Sequence, residues 1–300
     1  MGKDKNSEYK SGLITVIVCQ LIWGVLPIYW ASLTPIPSWI IIMYRMFTMC
    51  VYCYIVSRFS YSNKEILEPL KKDKSLIWKH FIAGAILAIN WSTYIWAMTT
   101  GRMVQSSIGY YLEPLVICLF GIFIFKEKLT KYNATAMLLA LIALSVMLIH
   151  YGQLPGVALI LAFSWACYSA IKKTTKNSNI VELVYETFFF AIIALIGILV
   201  IETKGIGGLS YGVPGKYALM FLSGLVTLVP VVLFGMAARK VSLFVIGLTQ
   251  YLSPTITLAL GIFAYGEPVD KVQIIAFIVI WIGLAIFSYG EFKTHHESNQ

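Results

Sequence analysis

Long apolar runs alternate along this chain with short stretches that collect its charges, prolines and glycines. Several runs reach about eighteen residues or more without a charge, enough for a helix to cross a hydrocarbon core about 30 Å thick. Bounded by their charge, Pro and Gly clusters, the runs predict ten helices. They cover Gly12–Ser32, Ser38–Ser57, Lys79–Thr99, Val104–Phe125, Tyr132–His150, Gly156–Ile171, Ile180–Ile201, Tyr217–Ala238, Val241–Tyr265 and Val272–Tyr289. The sixth is the shortest, and Lys172 and Lys173 at its end are expected to snorkel toward the headgroups. Glu182, beside that basic cluster, is expected to make a surface pair in the same way.

Composition agrees with this pattern. Of 300 residues, 59% are apolar or aromatic and 12% are charged, half of the about 25% in an ordinary soluble domain. So few ionised groups cannot coat a water-facing surface, which excludes secreted, disulfide-stapled and DNA-binding classes. Lys and Arg outnumber Asp and Glu by 23 to 14, a net +9, and their positions explain the excess. With the amino terminus inside, 18 basic residues fall in cytoplasmic segments, 4 in the opposite loops, and Arg45 inside a span. Basic loops stay cytoplasmic, so both termini are expected there. The excess attracts the anionic inner leaflet and implies no nucleic-acid partner. The leader runs into about twenty apolar residues without a small-residue cleavage site and reads as a first span. Cys19, Cys50, Cys53, Cys118 and Cys167 lie in apolar runs, and the four histidines are remote from Cys50 and Cys53 in sequence. Neither a disulfide framework, a metal site nor a cofactor is expected.

The chain also matches itself at an offset of 140 residues. Tyr111-Leu112-Glu113-Pro114 lies over Tyr251-Leu252-Ser253-Pro254, Gly121-Ile122-Phe123 over Gly261-Ile262-Phe263, Glu127 over Glu267, Lys131 over Lys271, Ala136 over Ala276 and Ile142 over Ile282. The chain thus divides into a cytoplasmic leader (1–11), two five-helix halves (12–150 and 154–289) and a cytoplasmic tail (290–300). Five is odd, so the copies enter the membrane in opposite senses. The expected fold class is an all-α integral membrane protein of ten helices in two inverted repeats, an arrangement that lets a central site face either side in turn. A duplicated bundle without transport is the alternative.

These residues carry a resemblance. Ile22-Trp23-Gly24, the Pro, Gly and Glu series closing each fourth-type helix, and the paired five-helix halves resemble the drug/metabolite transporter superfamily with its paired EamA domains. Tyr44-Arg45, Asn90-Trp91, Ser107-Ile108-Gly109-Tyr110, Glu186-Thr187 and Gln250-Tyr251-Leu252-Ser253-Pro254 are similar to its RarD branch, over roughly Gly12 to Tyr289. The resemblance implies a ten-helix permease of the bacterial inner membrane. One departure is Glu113, where such sequences often carry a neutral amide.

A charge at membrane depth costs a few kcal/mol unless it has a partner or a cavity. Arg45, Glu113 and Glu186 are the candidates, and Tyr44-Arg45 aligns with Tyr185-Glu186 at an offset of 141. Arg45 is expected to face a central cavity and to pair with Glu186, with Glu113 or with a substrate carboxylate, while a static ion pair between helices is the alternative. A buried carboxylate is a candidate proton carrier. Asn90, Trp91, Tyr94, Trp96 and Tyr110 are candidate pocket lining, with Gln250 and Tyr251 in the ninth span. Asn90 and Gln250 serve equally well as interhelical packing, and Gln20 and Gln105 read as packing. Pro27, Pro114, Pro230 and Pro254 mark candidate bending points, and Gly205 to Gly212 reads as a flexible external loop.

The expected function is secondary transport of small metabolites or drug-like molecules, outward more than inward. The expected partners are a small-molecule substrate and the bilayer, as monomer or homodimer. A lipid or polyprenyl-headgroup flippase and an intramembrane lipid-processing enzyme are the alternatives. The enzyme lacks support because the intramembrane charges are single and scattered.

Overall fold

The computed structural model describes residues 2–99, 103–152, 156–175, 178–266 and 270–297. Every regular element among them is helical: α1 (Gly2–Ser32), α2 (Ser38–Arg58), α3 (Asn63–Lys72), α4 (Ser75–Thr99), α5 (Met103–Phe123), α6 (Lys131–Tyr151), α7 (Gly156–Thr174), α8 (Asn179–Thr203), α9 (Pro214–Ala238), α10 (Leu243–Thr249), α11 (Leu252–Tyr265) and α12 (Lys271–Glu297), with one 3-10 turn at Gly208–Tyr211. Seven stretches are long and apolar enough to cross a membrane, in α1, α2, α6, α8, α9, α12 and the pair α10–α11. Large apolar side chains such as Leu138, Ile149, Ile193, Ile196 and Phe263 stand more than half exposed. Lipid is the solvent that accepts such a surface, and the chain is a multi-pass membrane protein.

Two elements depart from the expected pattern. The basic stretch after α2 contains α3, started by a reciprocal cap in which Glu65 N–H donates to Ser62 Oγ (3.2 Å) and Ser62 N–H to Glu65 Oε2 (2.7 Å). Ile66 of α3 packs on Val181 and Tyr185, and the Tyr185 hydroxyl donates to its carbonyl. The second departure is in the ninth run, which divides at Gln250–Tyr251 into α10 and α11. Pro254 has no N–H to offer the Gln250 carbonyl, which instead accepts from Ser253 N–H at 3.3 Å. In α1, α5 and α9 the helix continues through Pro27, Pro114 and Pro230. The 3-10 turn replaces the expected flexible loop, its Leu209 N–H resting on Glu202, which also accepts from Tyr44 OH at 2.6 Å.

Helix ends are closed locally and across the molecule. Thr130 Oγ1 accepts from Asn133 N–H (3.2 Å) to start α6, and Gly152, at φ 62°, turns the chain out of it. Ser242 caps α10, and the Glu127 carboxylate accepts from Leu243 and Phe244 N–H at 2.8 and 2.9 Å. A carboxylate at a helix N-terminus is favoured by the helix dipole, so Glu127 ties the end of α5 to the start of α10.

The helices pack as α6 on α12, α2 on α8, α5 on α10, α1 on α9, α4 on α7, α5 on α7, α1 on α11, α2 on α9 and α4 on α8. Their ends gather on two faces. On one, Tyr9 donates to Glu291, Lys240 to Ser11 and Lys173 to the Val241 carbonyl. On the other, Lys216 donates to the Thr34 carbonyl and His150 Nε2 lies 2.9 Å from Asp270 Oδ2. Residues 2–11 and 290–297 continue α1 and α12. Two close helix crossings rest on glycine. A Cβ on Gly84 would collide with the Glu186 carbonyl of α8, and one on Gly224 with the Met49 backbone of α2.

Gly224→Leu and Gly84→Leu are expected to lower thermal stability of the purified protein by about 1–3 kcal/mol through overpacking. Gly215→Ala, with nothing within 4 Å of the added methyl, is expected to leave the melting temperature unchanged. Equal melting of all three variants would show that the crossings do not depend on these glycines.

Candidate functional site

Two groups of polar side chains lie inside the helix bundle. The first centres on Arg45 of α2. Its guanidinium carbon sits 4.4 Å from the ring centroid of Trp91 in α4 and 5.4 Å from that of Trp30 in α1. A cation over an indole face gains about 2 kcal/mol when desolvated. Among the described residues no carboxylate lies within ion-pair distance of Arg45, and its Nε has no hydrogen-bond partner.

Tyr94 and Tyr110, whose rings meet edge to face at 5.7 Å, lie within electrostatic reach of the guanidinium. Tyr110 and Glu113 share a face of α5, one turn apart. With the Gln250 amide, at the break between α10 and α11, turned to the orientation that satisfies both its neighbours, its nitrogen donates to Glu113 Oε1 (3.1 Å) and its oxygen accepts from Trp165 Nε1 (2.7 Å). Trp165 in turn packs edge-on to Trp23. Glu113 has no cationic partner among the described residues. Arg45, Tyr94, Tyr110 and Glu113 are deeply enclosed by protein and still keep accessible surface, 41% for Tyr110.

The second group is a closed ion network near the face where Tyr9 meets Glu291. Tyr168 and Lys172 lie one turn apart on α7, and Glu182 and Glu186 one turn apart on α8. Lys172 Nζ bonds Glu182 Oε2 (2.9 Å) and Glu186 Oε1 (3.0 Å). Tyr168 OH donates to Glu186 Oε2 (3.0 Å), and Arg239, following α9, donates to Glu182 Oε2 (2.7 Å) and Thr175 Oγ1 (3.1 Å). His80 Nδ1 of α4 is 3.6 Å from Glu186 Oε1. Lys172, Glu182, Glu186 and His80 are all buried. An apolar recess between α2, α4 and α8, lined by Met46, Leu87, Trp91, Glu186, Thr187 and Phe190, separates this network from Arg45.

The structure places Arg45 against Trp91 and near Tyr94 and Tyr110, sets Gln250 beside Glu113, and binds Glu186 into the Lys172 network. The expected Arg45–Glu186 pair is absent because Lys172 already neutralises Glu186. Asn90 is spent on helix packing, its Nδ2 donating to the Leu161 carbonyl (3.0 Å) and Ser164 Oγ (2.9 Å) of α7. Tyr251 is buried with its hydroxyl on the Tyr111 carbonyl (3.0 Å). Gln20 is buried. The side chain of Gln105 and the whole of Glu267 lie outside the described residues. Glu182 and Lys172, expected to snorkel, instead turn inward toward each other.

Trp30, His80, Tyr168 and Trp165 are neighbours of these groups that the sequence did not point to, and Lys172 was expected at the surface. The i, i+4 pairs Tyr168/Lys172 and Glu182/Glu186 carried a readable signal, since each places two polar side chains on one helix face.

A profile of the EamA-like transporter family matches residues 10–149 and again 155–289. The chain is 34% identical over 293 residues to the Bacillus subtilis (strain 168) protein named uncharacterized transporter YojE, spanning 96% of this chain and 97% of that one. It is 28% identical over 297 residues to the protein RarD of Escherichia coli (strain K12), spanning 98% and 99%. A solved crystal structure superposes with a TM-score of 0.68 at 17% identity, covering 92% of this chain and 96% of that one. That likeness concerns the fold alone.

Removing one partner of a buried ion network leaves an uncompensated charge and costs about 3–5 kcal/mol. Lys172→Met is therefore expected to destabilise the protein severely, and adding Glu186→Gln to recover part of the loss. Thermal unfolding of the single and double variants checks this, and a double variant less stable than the single one would contradict the assigned pairing.

Proposed function

The chain belongs to the EamA-like transporter family and is a membrane transporter; from that premise we propose that it is a secondary carrier working by alternating access. Its halves, residues 12–150 and 154–289, form inverted repeats of five spans: α1, α2, α4, α5 and α6 against α7, α8, α9, α10–α11 and α12. Exchanging these two sets maps the packing between halves onto itself, α1 on α9 becoming α7 on α4, and α2 on α9 becoming α8 on α4. Gly84 and Gly224, one repeat offset apart, sit at corresponding crossings. The face rich in Lys and Arg is cytoplasmic and carries both termini, as the distribution of basic residues argues.

The observation that carries this reading is a pair of charged side chains inside the bundle, the Arg45 cation and the Glu113 carboxylate, neither with an ionic partner among the described residues, and we assign both to the wall of a central substrate cavity. A static bundle would gain nothing from two uncompensated polar groups at membrane depth. Small metabolites bind there, and transport runs outward, the direction expected from the sequence. The Lys172–Glu182–Glu186 network, with Arg239 and His80, closes the cytoplasmic face and links α4, α7, α8 and the end of α9. At the offset of 141 that lays Arg45 over Glu186, the first half has Ala31 and Ile41 where the second has Lys172 and Glu182, so the network is not repeated there, and the opposite face is tied instead by the more exposed His150–Asp270 contact. Glu113, without a counter-cation, is the group placed to exchange a proton with either side.

In proteoliposomes, counterflow of labelled metabolites is expected in the wild type. Arg45→Ala should lower it by about tenfold or more, the scale of one lost charge-assisted interaction, and Glu113→Gln should remove dependence on a pH gradient. Wild-type transport in both variants would refute the site. Reporter fusions at Tyr132 and Lys271 are expected on opposite sides of the membrane, and finding them on the same side would refute the inverted repeat.

A further inference from the structure

The geometry around Arg45 says more about the cargo. The guanidinium carbon of Arg45 lies over the indole rings of Trp91 and Trp30, so the cation rests against aromatic rings and not against an anion. A guanidinium carries five N–H donors in its own plane, and among the described residues none of those of Arg45 makes a hydrogen bond. Nε is buried and has no hydrogen-bond partner. The nearby carboxylates are engaged elsewhere: Glu186 by Lys172 and Tyr168, and Glu113 Oε1 by the Gln250 amide.

We infer that Arg45 receives the carboxylate of a small organic monoanion, whose apolar body lies among Trp91, Tyr94 and Tyr110; this rests on the carrier reading above. A carboxylate presents two coplanar oxygens, and two parallel N–H···O bonds from one planar fork are the strongest match available to arginine. A phosphate monoester fits the fork less well by charge. Its second negative charge would find no further cation in the cavity among the described residues and would face Glu113. An ammonium cargo would meet the like charge of Arg45 at the indoles of Trp91 and Trp30. The carboxylate completes what the protein leaves open: it supplies the counter-charge to a cation held at membrane depth.

Equilibrium binding to the full chain in nanodiscs of zwitterionic lipid tests this, with empty nanodiscs as control. The probes are acetate, phenylacetate and indole-3-acetate, the primary amide of each, phenethylamine and phenyl phosphate. At least one acid is expected to bind about tenfold or more tightly than its amide, and more tightly than phenethylamine and phenyl phosphate. Arg45→Lys keeps the charge and removes the fork, so it should weaken the acid about tenfold and leave the amide unchanged. No acid binding, an amide or amine equal to its acid, phenyl phosphate binding more tightly, or an Arg45→Lys variant with unchanged acid affinity would each overturn the inference. Proteoliposome counterflow separates it from the carrier reading. Carboxylate-selective binding without translocation would overturn the carrier and leave this site standing; translocation indifferent to acid or amide would do the reverse.

Discussion

Every charge held inside the bilayer must find its solvent in the protein, because hydrocarbon supplies none. Within the bundle this demand is met in two ways. Lys172, Glu182 and Glu186 meet it completely, with Arg239, Tyr168 and His80 around them. Arg45 meets it in part, through two indole faces and no anion among the described residues. Arg45 and Glu186 occupy matching places in the two halves, α2 and α8, which pack against each other. The same position in the repeat thus carries a satisfied charge in one half and an unsatisfied one in the other.

The backbone obeys the same constraint. Non-helical geometry is tolerated at membrane depth only where protein surrounds it, and the division of the ninth run satisfies that rule. Leu243 to Tyr251 are all buried, α10 packs on α5, and the carbonyl released by Pro254 is taken up by Ser253. The amide of Gln250 at that break reaches Glu113 and Trp165. One irregularity therefore both bends the helix and orients a polar group into the cavity wall.

Apolar run lengths were enough to read the long helices, because in lipid a span needs little beyond length and the absence of charge. The helix α3 escaped that reading although Ser62 and Glu65 spell its capping box, since a ten-residue amphipathic segment among lysines has no apolar run to announce it. Proline was a weak guide: of four such residues in spans, Pro254 alone accompanies a division among the described helices. Arg45, Trp91, Tyr110, Glu113 and Gln250 were legible as polar or aromatic oddities in apolar runs, and two contacts among them are formed, Arg45 on Trp91 and Gln250 on Glu113. Which carboxylate faces which cation was not legible. Lys172 sits at a helix end, where snorkelling is the local expectation, and what draws it inward is a pair of carboxylates on α8.

On the proposed carrier reading, an ideal inverted repeat would make its two end states equal in energy, and the charges in this chain would break that equality. A closed ion network at one face favours the conformation sealed there, since parting its members exposes charges that have already lost their water. On the opposite face the His150–Asp270 contact is partly exposed to solvent and is weaker for that reason than a buried network. On the carrier reading, cargo must offset this bias, and an anion at Arg45 is well placed to do so. Arg45 and Glu186 lie on helices in direct contact, and Trp91 lines the recess that also touches Glu186. On that same reading the two groups of buried charge meet through the contact of α2 with α8, so an anion taken up at Arg45 settles beside the helix that carries the network, and loading and sealing share one interface.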